Sequence, residues 1–135
     1  MSVVEDIVDY LAELDIVERG VDIFTEADLN LYKDRPSSAI VTARPSPKAP
    51  SLTSDVDYHS LTVAVVTGQG EKGYTAGQRM SELLYRTLRM VLDVTINGTF
   101  YPCVLTTSAP YVVSVDDNRR TQYNFDVDVI RYIGD

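Results

Sequence analysis

Residues 57–93 read DYHSLTVAVVTGQGEKGYTAGQRMSELLYRTLRMVLD, and this stretch restricts the fold more than any other. A strand pattern, Leu61 to Thr67, runs into a turn with glycines at 68, 70 and 73. The longest helical periodicity of the chain comes next, about 75–92. Apolar residues lie on both sides of the strand, which predicts a central position in a sheet. Strand, G-x-G-x-x-G and helix in that order form the dinucleotide-binding fingerprint. Asp93 even lies 20 residues beyond Gly73. The surroundings oppose that reading. Asp93 ends a helix, whereas the fingerprint places its acid at the end of a second parallel strand. Beyond the helix stands Asn97-Gly98, a hairpin signal and therefore antiparallel. Too little chain remains for further βαβ units, and Glu71 in the turn would repel a pyrophosphate.

Elsewhere the pattern is that of one domain over residues 1–135. Ser2 and Glu5 form a capping box. Val4, Ile7, Val8, Leu11 and Leu14 supply an amphipathic helix over about 2–14. Short strands are expected at Val21–Thr25 and Ala39–Ala43. Residues 44–56 contain Pro45, Pro47, Lys48 and Pro50 and take an extended path, either as a connector or as a binding loop. The second helix starts at a capping box of Thr75 and Gln78. Its buried stripe is Ala76, Met80, Leu83, Leu84, Leu88 and Val91. Arg79, Glu82, Arg86 and Arg89 form its outer face, as a solvated salt-bridged surface or a partner site. Pro102 cannot donate to a ladder, so an edge or bulge falls there. From Thr121 to Tyr132, Tyr123, Phe125, Val127 and Val129 alternate with Gln122, Asn124, Asp126 and Asp128. The polar side must meet water or a hydrated interface, and the slip in the alternation at Val129-Ile130 predicts a bulge or a change of environment there. The fold class expected is α+β: a mixed, mostly antiparallel sheet of five or six strands packed with two helices.

Composition narrows function. The net charge is −8 over 135 residues, which disfavours a nucleic-acid-binding surface. Cys103 and His59 are the only cysteine and histidine, so neither a zinc set nor an intrachain disulfide is expected. A Ser-His-Asp arrangement would need Asp57, His59 and Ser60 together, but successive strand residues face opposite ways. The acidic N-terminus lacks a secretory pattern, and the apolar runs are too short to span a bilayer. No enzyme, cofactor or metal site is expected. The expected setting is a reducing cytoplasm.

The order of these pieces carries a resemblance. A helix ending at Leu14 is followed by "VDIF", "SAIVT", a strand leading into "SELLYRTL", "NGTFY", and the closing "SAPYVVSVDDNRRTQYNFDVDV". The chain resembles the tail terminator and minor capsid proteins of long-tailed bacteriophages. The likeness rests on Ser108 and Pro110, Tyr111 to Val113, Asp116 to Arg120, and Asn124-Phe125. It departs from that pattern at Ala109, at Ser114-Val115, and in lacking a glycine before Arg119. The resemblance implies a structural virion protein, assembled in the host cytoplasm and located in the tail or neck. It implies a hexameric ring that caps the tail tube, stops its growth and meets the head connector or stopper protein. Genomic DNA would pass through the lumen without specific binding, and acidic walls suit that passage. The candidate interface residues are then the proline-rich loop, the arginine face of the second helix, Asp116, Asp117, Arg119 and Arg120, and the polar strand face of Asn124, Asp126 and Asp128. Another neck component, a stopper or head-completion protein, is the alternative within that class. A small nucleotide-binding enzyme using Gly68, Gly70 and Gly73 is the alternative outside it.

Overall fold

A computed structural model describes residues 2–25, 36–45, 55–115 and 120–134. Helix α1 (Val3–Glu13) begins where Ser2 Oγ accepts the Glu5 N–H at 3.1 Å, the bond that the capping box predicts. Strands β1 (Ile23–Thr25), β2 (Ser38–Arg44) and β3 (Val56–Val66) come next, then helix α2 (Gly70–Leu88). The remaining elements are β4 (Met90–Ile96), β5 (Thr99–Thr106), β6 (Tyr111–Val115) and β7 (Thr121–Tyr132). The strands form one sheet in the order β1-β2-β3-β7-β5-β4, with β6 beside the start of β7. Among the described strands, only β1 and β2 pair in parallel. The fold is α+β. It has seven described strands, because the extended stretch after β5 breaks at Thr107–Pro110 and its second half pairs with β7 separately as β6.

Both helices pack on one face of this sheet. Val3, Ile7, Val8 and Leu11 of α1 and Leu84 and Leu88 of α2 share one core with Ala39, Val41, Leu61, Val63, Val65, Phe125, Val127 and Val129. Each fully buried Leu, Ile or Val stabilises by about 1.5–3 kcal/mol in transfer terms. The sheet is curled, so that α1 touches β1 and β2 on one side and β4 on the other. Among the described residues, the opposite, outer face carries no helix.

Several expectations about the helices and β7 need correction. Helix α2 spans Gly70–Leu88, not 75–92, and Gln69 rather than Thr75 occupies its N-cap. The chain leaves the helix at Arg89, and residues from Met90 onward pair with β5 instead. The face of α2 that meets the sheet is Gly77, Ser81, Leu84 and Leu88, while Ala76 and Leu83 are exposed. Leu14 is likewise exposed. Of the two readings at Val129-Ile130, the change of environment holds and the bulge does not: β3 and β7 stay in register from Val56↔Tyr132 to Val66↔Gln122. What changes there is the outer-face neighbourhood, where Ile130 lies between Tyr58 and Cys103.

Pro102 does mark an irregularity. Tyr101 and Val104 are both buried although three residues apart, and their partners Val94 and Val91 both pack on the core. Each strand therefore carries one extra residue, Asp93 opposite Pro102, and Asp93 sits at φ 53°. Pairing of β5 with β7 begins only at Cys103, so the missing N–H of Pro102 falls outside that ladder. The Asn97-Gly98 turn has φ 51° and 81°, the two positive values that a tight hairpin turn requires.

Candidate assembly interface

The glycine turn is filled by its own chain. Ser37 Oγ accepts the Gly68 N–H at 2.9 Å and donates to the Gly73 carbonyl at 2.9 Å. A Cβ on Gly73 would lie 2.6 Å from the Gly68 carbonyl oxygen, and one on Gly77 would lie 2.8 Å from Thr67 Cα. These glycines let α2 lie close against the end of β3. The two neighbours of β3, β2 and β7, are both antiparallel to it, so the parallel sheet of a dinucleotide fold is not built around this turn.

Of the sequence-predicted interface residues, Arg79, Glu82, Arg86 and Arg89 are all exposed on or just after α2. Arg86 Nε lies 3.3 Å from Glu82 Oε1, the expected i,i+4 pair, whose exposure limits its contribution to a few tenths of a kcal/mol. Pro45 is exposed just after β2. Pro47, Lys48, Pro50, Asp116, Asp117 and Arg119 lie outside the described residues. Arg120 is a correction: it is buried, and its Nε donates to the Thr67 carbonyl at 3.0 Å. It ties the start of β7 to the end of β3 and is not a surface charge. Thr121 reinforces that junction by donating its N–H to Thr67 Oγ1 at 2.9 Å.

Asn124, Asp126 and Asp128 stand on the outer face, half-buried. Gln122 donates to Asn124 at 3.0 Å, Thr62 to Asp126 at 3.1 Å and Ser60 to Asp128 at 3.0 Å. Arg44 reaches both acids, at 3.6 and 3.8 Å. Two carboxylates thus share one guanidinium. Beside this polar strip lies an apolar tile. Met90, Leu105 and Asp128 occupy one row across β4, β5 and β7, and Leu92, Cys103 and Ile130 the next. Met90 is 66% exposed and Leu92 59%. Large apolar side chains grouped in this way mark contact surfaces more often than isolated ones do.

Sequence reasoning missed an inner-face network. Arg131 donates to both oxygens of Asp57, at 3.2 and 2.7 Å, and His59 Nε2 lies 3.0 Å from Asp57 Oδ2. Farther along, the Tyr101 hydroxyl donates to Asp6 Oδ2, and Asn97 donates to Asp6 Oδ1 at 3.0 Å and to Asp9 Oδ2 at 3.0 Å. Arg19 completes the chain with Asp9 at 2.8 Å. The signal available is Arg131, which interrupts the inward apolar series of β7 directly opposite Asp57. Ser60 points to the other face, toward Asp128, so Asp57, His59 and Ser60 form no triad. Among the described residues no group of His, Cys, Asp and Glu could hold a metal ion, and no helix is long and apolar enough to cross a membrane.

Desolvation opposes the Asp57 charge, but Arg131 and His59 outweigh it and hold the carboxyl below its usual pKa. Burial, then the bond to Asp6, pushes the Tyr101 hydroxyl up. Burial and the 2.7 Å bond to Tyr74 raise Tyr123 to about 12. A depressed carboxyl stabilises the fold above its unfolded pKa and loses that contribution as pH falls through the folded value. Asp57→Asn is therefore expected to lower stability at neutral pH by about 2 kcal/mol. Its deficit relative to wild type should shrink on acidification below about pH 4, where an unfolded Asp is protonated. Urea unfolding followed by circular dichroism at pH 7 and at pH 3 checks this; an equal deficit at both would refute it.

No family model matches the sequence, and no curated protein matches it. A solved structure that carries no functional name matches with a TM-score of 0.56 at 9% identity, over 99% of each chain. That likeness shows a shared fold and nothing about activity.

Proposed function

We propose that this chain is a structural virion protein of a long-tailed bacteriophage, a tail terminator that caps the tail tube as an oligomeric ring. The observation that carries the reading is the two-sided build of the domain. One sheet face is bare among the described residues and holds exposed Met90 and Leu92, while the helix on the other side exposes an arginine series. A domain with two unlike contact faces repeats head-to-tail, and such contacts close into rings when the rotation permits. The net charge of −8 suits a lumen through which DNA slides without being held. The sequence resemblance to tail terminators supports the same reading. The nucleotide-binding alternative is weakened by the turn itself, where Ser37 and Gly73 occupy the space between strand and helix.

The test is direct. Purified protein added to tail tubes that lack a terminator should appear in electron micrographs as rings at the tube ends and should arrest further elongation. Binding to filled heads instead of tubes would assign the chain to the stopper side of the neck. A monomer that ignores both tubes and heads and binds ATP or NAD would overturn the reading.

A further inference from the structure

Lys72, Ala76, Arg79, Leu83 and Arg86 succeed one another at helical spacing along α2, and all five are exposed. Leu83, 44% exposed, sits between Arg79 and Arg86. In a chain of net charge −8, this helix face is basic with an apolar centre. The outer sheet face has the opposite character. Its apolar tile of Met90, Leu92 and Leu105 adjoins Asp126 and Asp128, two carboxylates that share Arg44.

We infer that the basic stripe of α2 in one copy docks on the outer sheet face of the next copy. Leu83 would cover Met90, Leu92 and Leu105, with Arg79 and Arg86 against Asp126 and Asp128. The dimensions agree. Arg79 to Arg86 spans about 10 Å along the helix at 1.5 Å per residue, and Asp126 to Asp128 spans about 7 Å along β7, a difference within the reach of two arginine side chains. Contact between two copies of an acidic chain is opposed by net repulsion, and this pairing is one that reverses its sign. It is also head-to-tail, because the helix layer and the bare face lie on opposite sides of the sheet. The inference rests on the ring-forming reading and names the surfaces that would build the ring. It also explains how a sheet whose described helices all lie on one side would gain its second cover.

The experiment is a charge exchange followed by sedimentation velocity across a concentration series. Wild type should self-associate, and 0.5 M salt should weaken that association, because exposed charge pairs are screened. Arg79→Glu with Arg86→Glu should weaken it at least tenfold, and so should Asp128→Lys. An equimolar mixture of the two variants should recover part of the lost association, since one glutamate of the altered helix face then meets the lysine of the altered sheet face while Asp126 still opposes the other. Leu92→Glu, at an exposed position, serves as a second sheet-face variant whose fold is checked by circular dichroism. Association unchanged by every variant would overturn this contact and leave the ring reading standing. A dimer broken by Asp128→Lys but not by the arginine exchange would show sheet-to-sheet pairing and overturn it too. A chain that stays monomeric at all concentrations, and also with tail tubes, would sink both.

Discussion

Replacing Gly73 by alanine is expected to destabilise the domain by about 3 kcal/mol, as overpacking against rigid backbone does. The added Cβ would lie 2.6 Å from the Gly68 carbonyl oxygen and 2.8 Å from its Cα. Neither atom belongs to a side chain that can turn aside. Relief requires α2 to move away from β3, which would break the Ser37 bridge between Gly68 and Gly73 and loosen Leu84 and Leu88 in the core. The matched control is Gly20→Ala. That position has φ 84° with nothing within 4 Å, so only the left-handed backbone strain of about 1–2 kcal/mol applies. Thermal melts should place Gly73→Ala roughly 10 °C below wild type and clearly below Gly20→Ala. Equal melting temperatures for the two variants would refute the close strand–helix contact.

Tyr101→Phe is expected to cost about 2 kcal/mol, although it removes a single oxygen. Asp6 is 1% exposed and accepts from Tyr101 and from Asn97. Loss of the hydroxyl leaves one of its oxygens buried without that donor, and an unmet buried acceptor costs more than a satisfied bond contributes. Asp6→Leu should also destabilise, since it takes the acceptor from the buried Tyr101 hydroxyl. The double variant should be less unstable than the two losses added together, by about 1–2 kcal/mol of coupling. Urea midpoints of the four proteins give that number directly. Strict additivity would mean that the pair is not a functional unit of the core.

These two sites also show what a linear sequence can and cannot reveal. Helix α1, the Asn97-Gly98 hairpin and β7 are legible because each declares itself within a few residues, by a cap, a turn pair or a strict alternation. The rotation of α2 is not. Its inner face is made of Gly77 and Ser81 as well as Leu84 and Leu88, because the helix comes closest to the sheet where side chains are smallest. Counting apolar residues therefore draws the stripe through Ala76 and Leu83, one position off. Arg120 misleads for a related reason: it stands close to Asp116, Asp117 and Arg119 in sequence, yet it folds back onto Thr67. The Asp57–Arg131 and Asp6–Tyr101 pairs join residues far apart in the chain, so only the tertiary fold brings them together. The polar face of β7 is visible as an alternation, but its neighbours on β2 and β3 are not, and those neighbours determine its residual charge.

The position of β7 has a consequence for how the protein is made. It is synthesised after the other six described strands, yet it lies inside the sheet, flanked by β3 on one side and by β5 and β6 on the other. Until β7 leaves the ribosome, β3 lacks one of its two partners, and the apolar residues of β3 have no Phe125 or Val127 to meet. Pairing Val56 with Tyr132 closes a very long loop, an entropic cost that slows folding. The nascent domain therefore stays open until residues 121–132 emerge, and its folding comes after their translation instead of accompanying it. In the proposed ring, the outer sheet face would lack Asp126 and Asp128 until this strand is made, so docking on that face could not precede it.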